Sequence, residues 1–377
     1  MCRLISLIAF LVSLLAAAHA PAIDTIHGAP SRVVEQLTTE AELGVREDTK
    51  TFSAAQNQEI ERRIASALRS QSNRKPAAEV GYDNGFVITS PADVHTDPGA
   101  AFTMRINSWM QFRHTAFDSQ TANPDENDLE FERLRLTFRG NVYSPDIRYF
   151  LQFDGDSDQG EVSDWLDYVI TADLGHVSGL KQGRFGIKVG KWKLPFSRAR
   201  AEAGWKMQFA DRSVAGVFFD INRSQAVGLF GAADLLGRDV HWETAISNGF
   251  KTSGARPGRF GLLDRNFGYS GRIWSDWIGE WGNDGEADLS YHECLAMRVG
   301  AGFAHTRVDR EGTREFLGVR AVDSGELLAL LLPPAVTSYD VTYYALDASW
   351  KYRGASVITD YYFRSLGQYR GANIQPT

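Results

Sequence analysis

Cysteine is nearly absent from this chain of 377 residues, which has only Cys2 and Cys294. Cys2 lies in a segment that we expect to be removed, so one thiol remains. A single thiol excludes an intramolecular disulfide framework and any cysteine-based metal cluster. We expect Cys294 to be a buried, inert thiol.

Long hydrophobic runs are also scarce. Beyond the N-terminus no stretch approaches the roughly 18 apolar residues of a membrane-spanning helix. The nearest candidate, "ELLALLLPPAV" from Glu326, is short and interrupted by Pro333 and Pro334. These features exclude a helical membrane protein. They do not exclude a membrane β-barrel, because alternation of polar and apolar residues keeps its mean hydropathy low.

Motifs of catalysis and metal binding are missing as well. The "HEC" at His292 lacks the second histidine of a zinc-hydrolase helix. The acidic stretch from Asp154 has Gln159 and Trp165 where a calcium-binding EF-hand loop needs glycine and glutamate. We therefore predict that the protein is not an enzyme, with no catalytic residue, no metal, no cofactor and no nucleic-acid partner.

The first twenty residues have the pattern of a secretory signal peptide. A short basic start at Arg3 precedes an apolar run from Leu4 to Ala17, and Ala18-His19-Ala20 fits a small-x-small cleavage site. We expect cleavage there, which would place the mature protein outside the cytoplasm.

Residues 21–94 form a polar segment without strand-like alternation, which we expect to lie in the periplasm. Within this segment Ile60, Ile64 and Leu68 recur four apart, which predicts a short amphipathic helix. It is too short to be assigned as a coiled coil, so a surface or linker helix and an oligomerisation helix both remain open.

Residues 95–377 have the alternation of β-strands. In "RLRLTFRG" (Arg133–Gly140) arginine or threonine alternates with leucine or phenylalanine, so one face is basic and the other apolar. A charge that faced the bilayer midplane would cost about 2–4 kcal/mol. We therefore expect the arginines to face a water-filled lumen and the apolar residues to face lipid.

Connections of two lengths join these strands, which number roughly eleven between Phe102 and Arg364. Tight turns occur at residues 143–146 and near Arg353, whereas long polar connections occur at 118–128, from Asn248 and at 306–338. This pattern predicts an all-β fold, a transmembrane antiparallel β-barrel in an outer membrane. A secreted soluble β-sandwich that binds a ligand remains an alternative.

Several stretches resemble the phosphate-selective porin O and P family. They are "VGYDNGFVI", "FERLRLTFRGNVYSPDIRYFLQFD", "VGKWKLPFS", "RSQAVGLFG", "AISNGF" and "YSGRIW", in this order. The resemblance implies a homotrimer of sixteen-stranded barrels in the outer membrane of a Gram-negative-type envelope, passing small anions such as phosphate. The lower strand count and the ending "GANIQPT", without a terminal aromatic residue, lead us to expect an incomplete or unusually small barrel.

The predicted function is therefore that of a porin for the passive diffusion of small hydrophilic solutes, with anions as the expected class. An outer-membrane enzyme or adhesin on the same barrel is the alternative. The resemblance places Lys193 where a strand enters the pore-narrowing loop. The hypothetical pore-lining residues are the cations on the polar strand faces together with this lysine: Arg105, Arg113, Arg133, Arg135, Arg139, Arg148, Arg184, Lys188 and Lys193.

Carboxylates share those faces, so a second interpretation of the lumen stays open. Glu130 and Glu132 lie near the arginines of the preceding strand, and Asp154, Asp164 and Asp167 follow in later strands. A lumen of mixed charge with ion-paired strands would be weakly selective, since rings of charge in a pore can favour either sign.

Overall fold

The computed structural model describes residues 58–59, 62–63, 78–90, 101–118, 126–155, 164–175, 177–209, 211–250, 266–282, 285–310, 319–321 and 325–374. The chain forms two compact units, residues 1–74 and 75–377. In the first unit the described residues are helical, and Glu59 pairs with Arg62 and Arg63. The predicted signal peptide and the apolar positions of the predicted helix lie outside the described residues.

The second unit contains one antiparallel sheet in which each strand pairs with the next along the chain. Its described strands are β1 (Glu79–Tyr82), β2 (Phe86–Thr89), β3 (Phe102–Phe117), β4 (Glu126–Val142), β5 (Ser144–Asp154), β6 (Asp164–Asp173), β7 (Phe185–Lys193), β8 (Arg223–Leu235), β9 (Arg238–Ser247), β10 (Gly268–Ile278), β11 (Ala296–Asp309), β12 (Val336–Tyr352) and β13 (Ala355–Gly371). Short helices interrupt the connections: α1 (Arg198–Ala201), a 3-10 turn (Gly204–Lys206), α2 (Val214–Phe219) and α3 (Leu328–Leu331).

The predicted strand count is confirmed, because eleven described strands, β3 to β13, run from Phe102 to Gly371. Two short strands precede them, so the sheet begins earlier than the predicted start at residue 95. Asn84 and Gly85 join β1 to β2 with positive φ angles of 49° and 138°. An Asn-Gly pair adopts such angles readily, which explains the hairpin.

The tightest turns lie at one end of the sheet and the three longest connections, β7–β8, β9–β10 and β11–β12, lie at the other. The predicted division into a short end and a long end is only partly confirmed, because residues 174–184 and 279–295 form longer connections at the end with the tight turns. The β8–β9 turn, Leu236–Gly237, and the β12–β13 turn, Arg353–Gly354, have positive φ at both residues, which is the type I′ geometry of two-residue hairpins. The β7–β8 connection at the other end spans residues 194–222.

The two faces of the sheet differ in polarity. In β12, Tyr343 and Ala345 are buried, whereas the alternating Tyr344 and Leu346 are 45% and 57% exposed. Leu134 and Leu136 of β4 are likewise exposed, and Arg135 between them is mostly buried. Apolar side chains on the outer face suit a lipid environment. None of the helices in the described ranges is long and apolar enough to cross a membrane.

The sheet is curved around the β7–β8 connection. Asp211 of this connection pairs with Arg133 of β4, and the Phe218 carbonyl accepts from Arg364 of β13. In a flat sheet these strands would lie about 43 Å apart, at about 4.8 Å per strand. The inner face of the sheet also meets the start of the same connection, because Arg198 pairs with Asp360 of β13 at 2.9 Å. Contacts of one connection with strands nine positions apart in the sheet fit a strongly curved, barrel-type sheet with this connection on its concave side.

The curved sheet has two edges within the described residues, where β1 pairs only with β2 and β13 only with β12. The structure thus describes thirteen strands of the sixteen that the family resemblance implies. A single continuous sheet also makes the alternative of a two-sheet β-sandwich wrong.

Cys294 corrects a prediction, because this thiol is exposed rather than buried. It lies in the β10–β11 connection, whose buried anchors are Trp281 and Asp288. The mixed sequence around the cysteine contains no alternation that would have revealed which side chains pack inward.

Candidate constriction site

The β7–β8 connection, residues 194–222, is called the inner loop below. It leaves the sheet because β7 runs into Leu194-Pro195, and proline cannot donate a ladder hydrogen bond. Ser197 then caps α1 by accepting from the Arg200 amide at 3.1 Å. Its hydroxyl also donates to Asp220 at 2.7 Å, which joins the two ends of the loop.

Phe196 anchors the inner loop to the far side of the concave face. Its side chain is fully buried, and its ring centroid lies 6.1 Å from that of Tyr343 and 6.3 Å from that of Tyr362. A Cβ added to Gly302 would lie 2.0 Å from the Phe196 carbonyl oxygen. Only glycine permits this close approach of the loop to β11.

Ion pairs continue this attachment. Arg198 lies between two carboxylates, Asp360 of β13 and Glu286 of the β10–β11 connection, each at 2.9 Å. Charge-assisted contacts of this kind are stronger than neutral hydrogen bonds. They hold the start of the inner loop against strands that are distant from β7 in the sheet.

The middle of the inner loop reaches the opposite wall. Asp211 lies 3.0 Å from Arg133 and 3.7 Å from Arg113. A Cβ on Gly204 would meet the Trp109 ring of β3 at 3.0 Å. The inner loop therefore crosses the interior from one wall to the other and narrows it.

Four cations, Lys193, Arg200, Arg212 and Arg223, gather where the inner loop leaves and rejoins the sheet, and they are called the cationic cluster. Lys193 faces Arg223 directly across β7 and β8, and Lys193 and Arg212 donate to the same Glu202 carbonyl. Arg200 lies 3.6 Å from Asp220, and Arg223 lies 2.9 Å from Asp167. These two members therefore have carboxylate partners.

The other two members bond to main-chain oxygens instead. Lys193 donates to the Glu202 carbonyl at 2.7 Å, and Arg212 donates to the Glu202 and Ala199 carbonyls at 2.8 and 2.9 Å. In the described part of the chain neither forms an ion pair with a carboxylate. Burial, together with the nearby Arg200, Arg133 and Arg223, lowers the pKa of Arg212 to about 10. Positive charge is thus in excess here.

Most of the cations predicted to line the pore are paired along the wall. Arg105 lies 2.6 Å from Asp83, Arg113 lies 2.7 Å from Glu132 and also contacts Glu130, and Arg135 contacts Asp154. Arg133 bonds to Gln111 as well as Asp211, Arg184 lies 2.6 Å from Asp239, and Lys188 lies 3.0 Å from Glu243.

Two of the predicted cations differ from these. Arg139 and Arg148 are exposed, and neither forms an ion pair among the described residues. With Arg105 they line a cavity of about 530 Å³ near the β4–β5 turn. The predicted residues thus fall into three groups in the structure. Most are paired with carboxylates along the wall, Arg139 and Arg148 line this cavity, and Lys193 lies beside the inner loop.

Sequence reasoning missed Arg200, Arg212 and Arg223 of the cationic cluster. For Arg200 and Arg212 the available signal was the density of cations after "LPFS", in "RARAEAGWKMQFADRS", whereas Arg223 opens the strand "RSQAVGLFG". The stretch after "LPFS" lacks alternation and therefore received no face assignment. Where metal ligands are concerned, the described residues bring together no group of three or more His, Cys, Asp or Glu side chains that could hold an ion.

A curved antiparallel sheet with an apolar outer face, a charged concave face and an internal loop defines a membrane β-barrel of the porin class. Residues 102–253 match the model of a family described as phosphate-selective porin O and P. The match spans β3 to β9 and the inner loop, so the predicted resemblance is confirmed over these residues. Proteins of this family reside in the outer membrane, and the match supports an outer-membrane porin. A search of curated proteins found no match.

Proposed function

We propose that this chain forms a channel for the passive diffusion of small hydrophilic anions, phosphate among them. The observation that carries the proposal is the excess positive charge at the inner loop, where Lys193 and Arg212 bond main-chain oxygens and pair with no carboxylate of the described residues. An anion that enters a narrow passage loses part of its hydration, and fixed positive charge offsets that loss. The family match is consistent with this class of solute.

The paired wall cations contribute less to selectivity. Arg113 and Arg135 face carboxylates at contact distance, so the field of each pair falls off steeply with distance. Selectivity would then depend on the inner loop rather than on the paired arginines of the wall, such as Arg133 and Arg135. One unit charge at about 8 Å in a medium of effective dielectric 20 changes the energy of an ion by roughly 2 kcal/mol before screening.

Reversal potentials under a potassium chloride gradient in planar bilayers test the proposal. We expect Arg212→Gln and Lys193→Gln each to lower the chloride-to-potassium permeability ratio several-fold. Arg212→Lys keeps the charge and should retain most of the ratio. Arg353→Gln, in the exposed β12–β13 turn, is the matched control and should leave it unchanged.

The same planar bilayers test whether phosphate is among the solutes. Phosphate that binds at the cationic cluster should reduce the chloride current at millimolar concentration, and Arg212→Gln should weaken this block. An unchanged permeability ratio in both glutamine variants would refute anion selectivity and indicate a general porin of mixed lumen charge. A folded barrel without conductance would refute the channel itself.

Two further parts of the proposal concern assembly and export. We propose a homotrimer in the outer membrane, as the family resemblance implies. Light scattering of the detergent-solubilised protein, with the detergent contribution subtracted, would show a monomer if this is wrong. Export after cleavage behind Ala20 is proposed from the signal pattern. The mass of the protein recovered from outer membranes tests that cleavage.

A further inference from the structure

The β10–β11 connection, residues 279–295, is longer than the two-residue turns that lie at the same end of the sheet. Successive connections of an antiparallel meander alternate between the two ends, so it lies at the end opposite the origin of the inner loop. The β8–β9 and β12–β13 connections at that end are two-residue turns. This longer connection is called the counter loop.

Buried contacts fix the counter loop to the sheet. Trp281 is buried, and the fully buried Lys351 of β12 lies 4.4 Å from its ring centroid. Asp288 is also buried and accepts from the Gly354 amide at 2.8 Å, while the Arg353 amide donates to the His292 carbonyl at 2.8 Å. The counter loop therefore has a fixed base on the β12–β13 turn.

From this base Glu286 reaches the inner loop through three polar contacts. Its carboxylate pairs with Arg198 at 2.9 Å and accepts from the Gln208 amide at 2.9 Å. Its own amide donates to the Lys206 carbonyl at 3.0 Å. One residue thus binds both the first helix of the inner loop and the segment after its 3-10 turn.

Backbone geometry beside Glu286 reinforces the contact. Gly285 has a φ of 77°, and a Cβ added to it would lie 2.4 Å from the Lys206 carbonyl oxygen. A side chain at this position would therefore push the two loops apart. Gly282 has a nearly equal φ of 74°, but its added Cβ would meet only the His292 ring, at 3.7 Å.

We infer that the counter loop positions the inner loop from the opposite end of the barrel, and that Glu286 is the positioning residue that sets the width of the constriction. The inference rests on the proposed channel function. Without Glu286, Arg198 keeps Asp360 alone as a carboxylate partner within the described ranges, and the Gln208 amide loses the acceptor seen there. The inner loop would then move more freely in the interior.

Two variants and two controls test this inference on the full-length protein. Glu286→Ala removes the carboxylate, and Gly285→Ala keeps it but blocks the close approach. Glu293→Ala removes an exposed carboxylate of the same loop, and Gly282→Ala imposes the same backbone strain without the clash. Hydrogen exchange of the peptides that contain Gln208 and Glu286 reports on docking without requiring conductance. Planar bilayers report on the width of the passage.

We expect exchange in both peptides to become about ten-fold faster or more in Glu286→Ala and Gly285→Ala, because charge-assisted contacts are lost. Single-channel conductance should rise in the same two variants, and both readouts should match the wild type in the controls. Unchanged exchange in Glu286→Ala and Gly285→Ala would overturn the inference, as would faster exchange with unchanged conductance. If the wild type itself does not conduct while exchange responds as expected, the channel function fails and the docking contact stands.

Discussion

Phe196→Ala should undock the inner loop without unfolding the sheet. Phe196 is fully buried between Tyr343 and Tyr362, in an apolar cluster on the concave face. Removing a buried phenylalanine side chain costs about 3–5 kcal/mol. The residue lies in a connection rather than in a strand, so the loss acts on the docking of the loop and leaves the strand ladders intact.

This free-energy cost determines how the docked and undocked forms of the inner loop are populated. Each 1.4 kcal/mol changes an equilibrium about ten-fold, so the ratio of docked to undocked inner loop should fall by about a hundred-fold to a few thousand-fold. An undocked loop no longer crosses the interior. Single-channel recordings should therefore show larger and noisier conductance, with a lower chloride preference, because the cationic cluster is dispersed as well.

A matched control lies in the same loop. Phe209 is 73% exposed, so Phe209→Ala removes the same side chain from a position without buried contacts. Its conductance should equal that of the wild type, and both variants should keep the heat-dependent gel mobility of a folded barrel. A folded Phe196→Ala barrel with wild-type conductance would refute the claim that this contact holds the constriction in place.

Two further predictions concern the wall. Arg272 and Asp347 form a buried bidentate pair at 2.7 and 2.9 Å, so Asp347→Asn should lower the free energy of unfolding by about 3–5 kcal/mol in urea titrations in detergent. Asp239→Asn tests a pair with Arg184 in which the carboxylate is half-exposed, and it should cost less; equal losses would contradict the argument from burial. Leu346→Arg places a charge on the outer face and should cost about 2–4 kcal/mol when the protein folds into vesicles. Leu236→Arg, in the exposed β8–β9 turn, should cost little, and similar losses in both variants would argue against a lipid-facing outer surface.

Local sequence signals predicted the sheet well and the constriction poorly. The alternation in "RLRLTFRG" and the short turns depend on neighbouring residues, so the strand count and the face assignment of Leu134 and Leu136 followed from the sequence. The attachment of the inner loop depends on contacts between distant residues, such as Arg198 with Asp360. No periodicity encodes those contacts. Cys294 was predicted wrongly for the same reason, since its connection packs through Trp281 and Asp288 instead.

The division of charge between wall and loop follows from the different demands on each. A cation in the wall lies on a strand whose register must be maintained, and an opposite charge on the adjacent strand stabilises that register; Arg135 faces Asp154 directly across β4 and β5. The same pairing cancels most of the electric field that Arg135 would exert in the passage. A cation in the inner loop has no register to maintain, and carbonyl oxygens can satisfy its donors without cancelling its charge, as they do for Arg212. A barrel that separates these tasks can alter its selectivity in the loop while its wall stays stable.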